Sequence, residues 1–272
     1  MNSKGITNHA VPHGIGHIIV RMHSVDSTNE EAKRRGDLGA EHGTVYVAEH
    51  QTAGKGRRGR SWLSEDAKNL YFTLLLRPDL EPNTVSMLTL VMAYAVAEAI
   101  QEQTGLQTGI KWPNDIVIGD KKVCGILSEM KVEKQQCAYC VIGVGINIEQ
   151  KVFPQELQDK ATSLYAELNK VPSKCLAEKP DAEHLLEAVL NKFRMVYEMF
   201  CREKSLAPIL EQYNALLVNK DRQVRVLEPG HEYEGMSLGI TPFGELLVKT
   251  EDGTVQKVYA GEVSVRGLYG YV

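Results

Sequence analysis

The chain has 272 residues, 31 Lys and Arg against 35 Asp and Glu, a formal charge of −4 and 43% hydrophobic residues. That size and apolar content suit one large domain, or one large and one small, with a real core, and the acidic balance excludes a protein whose whole surface binds nucleic acid. No run of about 18 uncharged apolar residues marks a membrane span, the first 20 residues lack a positive-then-apolar secretory order, and an odd count of five cysteines suits a reducing, cytoplasmic compartment.

Residues 1–16 read as a leader. "HIIVRMH" (17–23) predicts a first strand. A helix follows over "DSTNEEAKRRG", where Ser27 and Glu30 have capping-box spacing and Gly36 suits the stop. "TVYVAEH" (44–50) and "LYFTLLL" (70–76) predict strands on either side of a glycine-rich loop, and 84–105 predicts a long apolar helix ending at Gly105. "TGIKW", "IVIGDKKVCGILSEM" and "CAYCVIGVGINI" predict a run of strands, with a turn at "PND" and a hairpin at Gly119-Asp120. Residues 149–180, with Pro154, Pro172 and Pro180, read as irregular. Helices resume over 181–202 and 205–216. From about 219 the pattern changes to strands roughly ten residues apart, separated by Gly, Pro and Asp turns, which suits a small barrel. The expected architecture is α/β (α+β): a catalytic domain over 1–218 with a mixed, mostly antiparallel sheet, then a C-terminal barrel over 219–272.

"CAYC" (137–140) lacks the second ligand pair that zinc needs, so Cys137 and Cys140 read as core thiols. His9, His13 and His17 recur every four residues, but Pro12, Gly14 and Gly16 break the helix that would align them.

The chemistry concentrates in four segments. "GKGRRGRSW" (54–62) alternates Gly54, Gly56 and Gly59 with Lys55, Arg57, Arg58 and Arg60, then ends on Trp62. Glycines let backbone N–H groups approach a ligand, and arginine forks match carboxylate and phosphate. No Walker A spacing is present. "GVGINI" (143–148) carries Gly143 and Gly145 but Ile148 where a dinucleotide fingerprint needs a third glycine, so a Rossmann reading fails. "KWPND" (111–115) puts Lys111 and Asp115 on either side of a turn, where lysine suits a phosphate and aspartate suits Mg²⁺. "KKVCGILSE" (121–129) adds Lys122 and Gly125. Cations outnumber candidate bases, and no Ser-His-Asp order, HExxH or G-x-S-x-G is found. That balance favours joining two anions, such as a carboxylate and the α-phosphate of a nucleotide, by positioning and electrostatic stabilisation.

Together, "DSTN", "QTAGKGRRGRSW", "KWPND", "KVCGILSE" and "GVGINI" have the order and spacing of the biotin protein ligases, and the resemblance runs from about residue 18 to the end. It implies a class II aminoacyl-tRNA synthetase-like catalytic domain followed by an SH3-like barrel. It implies formation of biotinyl-5′-AMP from biotin and ATP with Mg²⁺, then transfer to one lysine of a biotin carboxyl carrier domain, such as that of acetyl-CoA carboxylase. Lipoate or octanoate ligases and transferases share the fold and are the alternative. Ser27, Thr28, Asn29, Gln51, Gly54, Lys55, Gly125 and Gly143 match the biotin-binding positions, and Lys122 matches the lysine that reaches the biotin carboxylate and the phosphoryl group. Arg57, Arg58, Gly59, Arg60, Trp62, Lys111 and Asn147 match the nucleotide-binding positions, Trp62 as the aromatic on the adenine side. Lys111, Arg57, Lys122 and Asp115 match the catalytic set, with Asp115 as a Mg²⁺ ligand or an orienter of the acceptor lysine. Lys55 departs from the arginine usual at its position. About 17 residues before the first strand are too few for the DNA-binding module of some relatives, so the expectation is the ligase-only form without DNA or membrane binding, as a monomer or homodimer.

Overall fold

A computed structural model describes residues 14–64, 69–171, 181–227 and 230–260, with the backbone alone of 264–267. Most of the leader, the histidines at 9 and 13, and Cys175 lie outside the described residues. Seven strands form the main sheet: β1 (Ile19–Val25), β2 (Val45–Gln51), β3 (Leu70–Leu76), β4 (Gly109–Lys111), β5 (Asp115–Ile118), β6 (Lys121–Glu133) and β7 (Gln136–Ile146), in the order β1-β2-β3-β7-β6-β5-β4. β1 and β2 run parallel and every other neighbour is antiparallel.

Strand alternation divides this sheet into two unlike faces. Leu70, Phe72, Leu74 and Leu76 of β3, with Cys140, Ile142, Val144 and Ile146 of β7, enter the main core. That face is covered by α3 (Leu88–Thr104) and α5 (Ala182–Glu203), which also pack on each other. α5 buries Leu185, Leu186, Val189, Phe193, Val196 and Phe200 at helical spacing. α3 is apolar nearly all round because sheet and helix enclose it. The segment Pro82–Thr104, made of α2 (Pro82–Ser86) and α3, is long and apolar enough for a membrane span by length and composition, but 67% of that window is buried inside the protein. The sequence expectation of one helix over 84–105 therefore resolves into two, stopped by Gly105 at φ 72°.

The opposite face carries only α1 (Thr28–Asp37), seated on a small cluster of Ala32, Tyr46, Leu75, Tyr139 and Val141. Ser27 is its N-cap, but its side chain makes no capping bond, and Glu30 turns to Lys33 and Lys55 instead. The expected capping box is absent. Gly36 is not the stop either. It lies within α1, where a Cβ would stand 3.1 Å from Leu75 and Tyr139, and the chain turns left-handed at Gly39, φ 86°. Beyond α1 this face is open, and that opening is the site.

Among its described residues the 149–180 segment contains one helix that the sequence pattern did not reveal, α4 (Leu164–Leu168), capped by Ser163 Oγ accepting from the Ala166 N–H at 3.2 Å. α6 (Leu210–Leu216) leads to the second sheet. Its strands are β8 (Gln223–Leu227), β9 (Tyr233–Ile240), β10 (Leu246–Lys249), β11 (Val255–Val258) and β12 (Ser264–Gly267), antiparallel in the order β11-β10-β9-β8-β12. This small β unit is tied to the larger one. Trp112, 1% exposed, donates from Nε1 to the Gly244 carbonyl at 3.2 Å, and Asn214 bonds both backbone groups of Ile240. Trp112 is thus core and junction.

Candidate active site

The open face holds a cavity walled by the start of α1, Gln51 at the end of β2, the 52–62 loop, Asn114, and parts of β6 and β7. Its floor is glycine. Gly125, Gly143 and Gly145 all face it, since Gly125 pairs with Gly145 across β6 and β7 and Gly143 lies two residues along. A Cβ at Gly143 would stand 2.0 Å from Asn29 Oδ1, and Cβ atoms at Gly125 and Gly145 would stand 2.7 and 2.6 Å from the Trp62 ring. Any side chain here would displace the groups that line the site.

One end is a buried hydrogen-bond network. Gln51 Oε1 accepts from the Thr28 N–H (2.9 Å) and hydroxyl (3.2 Å), and its Nε2 donates to Ser64 Oγ (3.2 Å). Thr73 Oγ1 lies 2.8 Å from Thr28 Oγ1 and 2.7 Å from Asn29 Oδ1. Asn29 Nδ2 donates to Glu129 Oε2 (2.8 Å) and to the Leu127 carbonyl (3.2 Å), and Lys33 holds the other Glu129 oxygen at 2.9 Å. Behind it, Arg34 grips both oxygens of Asp26 at 2.8 Å, and Asp26 Oδ1 also accepts the Ser27 N–H. This pairing holds the Asp26 carboxyl down at about 2. The result is a rigid patch of neutral donors and acceptors.

The other end is cationic. The 52–62 loop is a small hairpin, with Gly56 N–H on the Arg60 carbonyl (2.7 Å) and Trp62 N–H on the Gly54 carbonyl (2.9 Å), turning at Arg58 (φ 58°) and Gly59 (φ 71°). Lys55 leaves the loop for Glu30 at 2.5 Å, and Lys33, then Lys55, lowers the Glu30 pKa. Arg57 crosses the mouth, donating to Asn114 Oδ1 (2.8 Å) and to the Ala260 carbonyl of the small unit (2.9 Å). Burial lowers its pKa and the charge of Asp115 opposes that, but a guanidinium stays protonated.

Lys122 is aimed by a β-bulge. Ile116 pairs with Cys124 and Val117 with Lys122, so Val123 is the extra residue. Val123 and Cys124 both enter the core. Lys122 therefore shares the cavity face with Gly125, three residues on, where strict alternation would oppose them. Its backbone is pinned by the Lys160 carbonyl and the Thr162 N–H, both at 2.8 Å. Its ammonium lies 2.6 Å from Asp115 Oδ1 and 5.3 Å from the centre of the Trp62 ring.

Of the residues singled out by sequence, Ser27, Thr28, Asn29, Gln51, Lys55, Arg57, Trp62, Lys122, Gly125 and Gly143 line the cavity. Gly54 supports its edge, where a Cβ would meet the Trp62 carbonyl at 2.6 Å. Arg58, Gly59 and Arg60 form the exposed hairpin tip, off the cavity wall. Lys111 lies opposite Asp115 in register but is buried away from the wall. Asn147 also lies off it, its amide donating to the Thr162 carbonyl at 3.0 Å. Asp115 touches the site through Lys122. Asn114 and Leu127 line the cavity without having been singled out, and so does Gly145, which was named with Gly143 but given no role in the site. Gly145 was legible from strand alternation with Gly143, whereas Asn114 had no signal apart from its motif.

Residues 22–147 match the model of the biotin/lipoate A/B protein ligase family, and residues 221–266 match the biotin protein ligase C-terminal domain. Among solved structures, the biotin protein ligase from Aquifex aeolicus in complex with biotin and ATP superposes with a TM-score of 0.78 at 32% identity, covering 92% of this chain and 98% of that one. The bifunctional ligase/repressor BirA of Bacillus subtilis is 34% identical over 92% of this chain and 75% of its own length. The biotin–[acetyl-CoA-carboxylase] ligase of Mycobacterium tuberculosis is 30% identical over 87% and 85%. Fold, cavity and these matches agree, and the chain belongs to the biotin protein ligase family.

Proposed function

We propose how this chain performs the ligase reaction and which residues carry each step. Biotin lies with its ureido ring against the Thr28–Gln51–Asn29 network and its chain over the glycine floor, so that the carboxylate reaches Lys122. A carboxylate oxygen attacks the α-phosphorus of ATP, the bond to the bridging oxygen breaks, and pyrophosphate leaves. The amine of a carrier-domain lysine then attacks the acyl carbon of biotinyl-5′-AMP. AMP leaves, the nitrogen loses a proton, and an amide remains. Lys122 offsets charge on the carboxylate and the phosphoryl group. Arg57 closes over the adenylate, and Trp62 offers a face to the nucleotide. Asp115 is a positioning residue that holds the Lys122 ammonium.

The observation that carries this reading is the placement of Lys122 and Arg57 at one end of a glycine floor whose other end is a neutral hydrogen-bonding patch. A bicyclic urea with a distant carboxylate has that same polarity. The nucleotide enters as its Mg²⁺ complex, the ion arriving as part of the substrate. Among the described residues no three His, Cys, Asp or Glu side chains gather into a metal-holding group, and Asp115 is paired with Lys122. A protein-held Mg²⁺ on Asp115, one of the two roles expected from sequence, does not fit that pairing.

We place the division between the two units at 218/219, between the Leu217 bridge to Ile110 and the start of β8. Free thiols at Cys124, Cys137, Cys140 and Cys201 support a cytoplasmic setting, and the −4 charge supports ligation rather than operator binding. The test is direct. The chain is incubated with ATP, Mg²⁺ and a carrier domain, with biotin in one arm and lipoate in the other, and the carrier is weighed. One biotin on one lysine is expected. Lipoylation alone, or no adduct, overturns the reading.

A further inference from the structure

Glu129 takes no part in the ligation steps, yet it grips a residue that does. It ends "KKVCGILSE" and lies two residues beyond Leu127 on β6, so strand alternation puts both on the α1 face. Its partner across the sheet, Val141, belongs to the small cluster under α1. Asn29 and Lys33 stand four residues apart on α1, and so on one face of that helix. Both reach the same carboxylate, Asn29 Nδ2 donating to one oxygen at 2.8 Å and Lys33 Nζ to the other at 2.9 Å.

These bonds decide which way round the Asn29 amide sits. Its nitrogen side faces the Glu129 carboxylate and, at 3.2 Å, the Leu127 carbonyl. A carboxylate and a peptide carbonyl can only accept, so only the NH₂ end of an amide fits there. The amide oxygen is left on the other side, where it takes the Thr73 hydroxyl at 2.7 Å and would stand 2.0 Å from a Cβ at Gly143. Thr73 and Gly143 are partners across β3 and β7. The oxygen therefore stands over the glycine floor, and Asn29 meets a ligand there as an acceptor.

We propose that Glu129 is a positioning residue that sets ligand specificity. By fixing the Asn29 amide with its oxygen toward the floor, it makes Asn29 an acceptor for one ureido N–H of biotin. A ring without an N–H, such as a dithiolane, gains nothing from that acceptor. Lys33 braces the carboxylate from the far side. The inference rests on the ureido ring lying at the neutral end of the cavity.

The test titrates the whole chain calorimetrically with ATP, with biotin, and with two biotin analogues, each methylated on one ureido nitrogen. The wild type is expected to prefer biotin over the analogue blocked at the nitrogen that meets Asn29. A wild type without that preference overturns the placement of the ring, and this proposal with it. Glu129→Gln keeps the size but not the polarity. Lys33 then holds the oxygen of the new amide, its NH₂ confronts that of Asn29, and the Asn29 amide turns over to bring a donor to the floor. Biotin affinity is expected to fall about 5- to 150-fold, the preference over the blocked analogue to fall with it, and ATP binding to stay. Glu129→Asp is shorter but still only accepts, so it is expected to keep the preference better than Glu129→Gln. A role in shape alone gives the reverse ranking, which overturns the proposal. So does wild-type biotin affinity in Glu129→Gln, or an equal loss for biotin and both analogues. If Glu129→Gln folds poorly, Glu129→Asp against the wild type decides: a lost preference there overturns the assignment.

Discussion

The two ends of the cavity are built by opposite means. The neutral end is a closed network in which Thr28, Asn29, Gln51 and Thr73 are all buried and bonded to one another. The cationic end depends on contacts between segments far apart in sequence, a hairpin arginine on Asn114 and on a carbonyl 203 residues away. A prebuilt polar patch selects its ligand without reorganising. A clasp made of a loop and a second structural unit can open and close. Selectivity and retention are therefore separable, and mutations should divide along the same line.

The sharpest break lies between the ends, at Lys122. Lys122→Ala removes the only side-chain cation on the β6 floor beside Gly125 and leaves Asp115 without its partner. Loss of one electrostatic stabiliser typically costs about 10²- to 10³-fold in rate. Pyrophosphate release should fall by that order, with biotin affinity much less affected. Equal losses in both would mean that Lys122 binds ground state and transition state alike.

Gly143→Ala attacks the neutral end alone. Its new methyl would lie 2.0 Å from Asn29 Oδ1, and neither the strand nor the bonded Asn29 side chain has room to move. Overpacking of this kind costs about 1–3 kcal/mol, which is about 5- to 150-fold in biotin affinity if it falls on the bound state. ATP binding should be nearly unchanged. Calorimetry with each ligand separates the two.

Arg57→Gly attacks the clasp alone. A hydrogen bond to a charged group is worth about 1.5–3 kcal/mol, so biotinyl-5′-AMP should leave about 10- to 150-fold faster. Free adenylate should then acylate exposed lysines on bystander proteins. Labelling that stays confined to the carrier would remove Arg57 from the retention role.

The same comparison shows what a sequence can carry. The neutral end was readable because its residues sit in short local patterns, "DSTN" at a helix start and Gly143-x-Gly145 along one strand face. The ligand class followed from family motifs rather than from physics, since pattern alone left the glycines as a strand irregularity. Three features were out of reach. The bulges in β6 and β7 depend on a one-residue mismatch between partner strands, which neither strand reveals by itself, so the orientation of Lys122 and the shared face of Cys137 and Cys140 were hidden. Lys55 read as a ligand cation, yet its charge is taken by Glu30. Lys111 and Asn147 stood in the right motifs but lie off the wall, the Asn147 amide turned to the Thr162 carbonyl, and only the three-dimensional pairing could say so. Local chemistry is legible, whereas registration between strands is not.

The smallest effect lies behind the neutral end, where Asp26 and Arg34 anchor the start of α1. Arg34's hydrogen bonds hold the Asp26 carboxyl at about 2, below its ordinary 3.8. A carboxylate depressed in the fold adds stability above its unfolded pKa and loses it as pH falls through the folded one. This contribution is whole above about pH 4 and disappears toward pH 2. Arg34 and Asp26 are each nearly half exposed, so solvent screening limits the pair to about 0.2–1 kcal/mol. Asp26→Asn should therefore lower the melting temperature only slightly at pH 7 and flatten its decline between pH 4 and pH 2. Because Asp26 also takes the Ser27 N–H beside Thr28 and Asn29, the variant should weaken biotin slightly while leaving the rate of adenylate escape unchanged. A matching change in escape rate would show that the two ends of the cavity are coupled through α1.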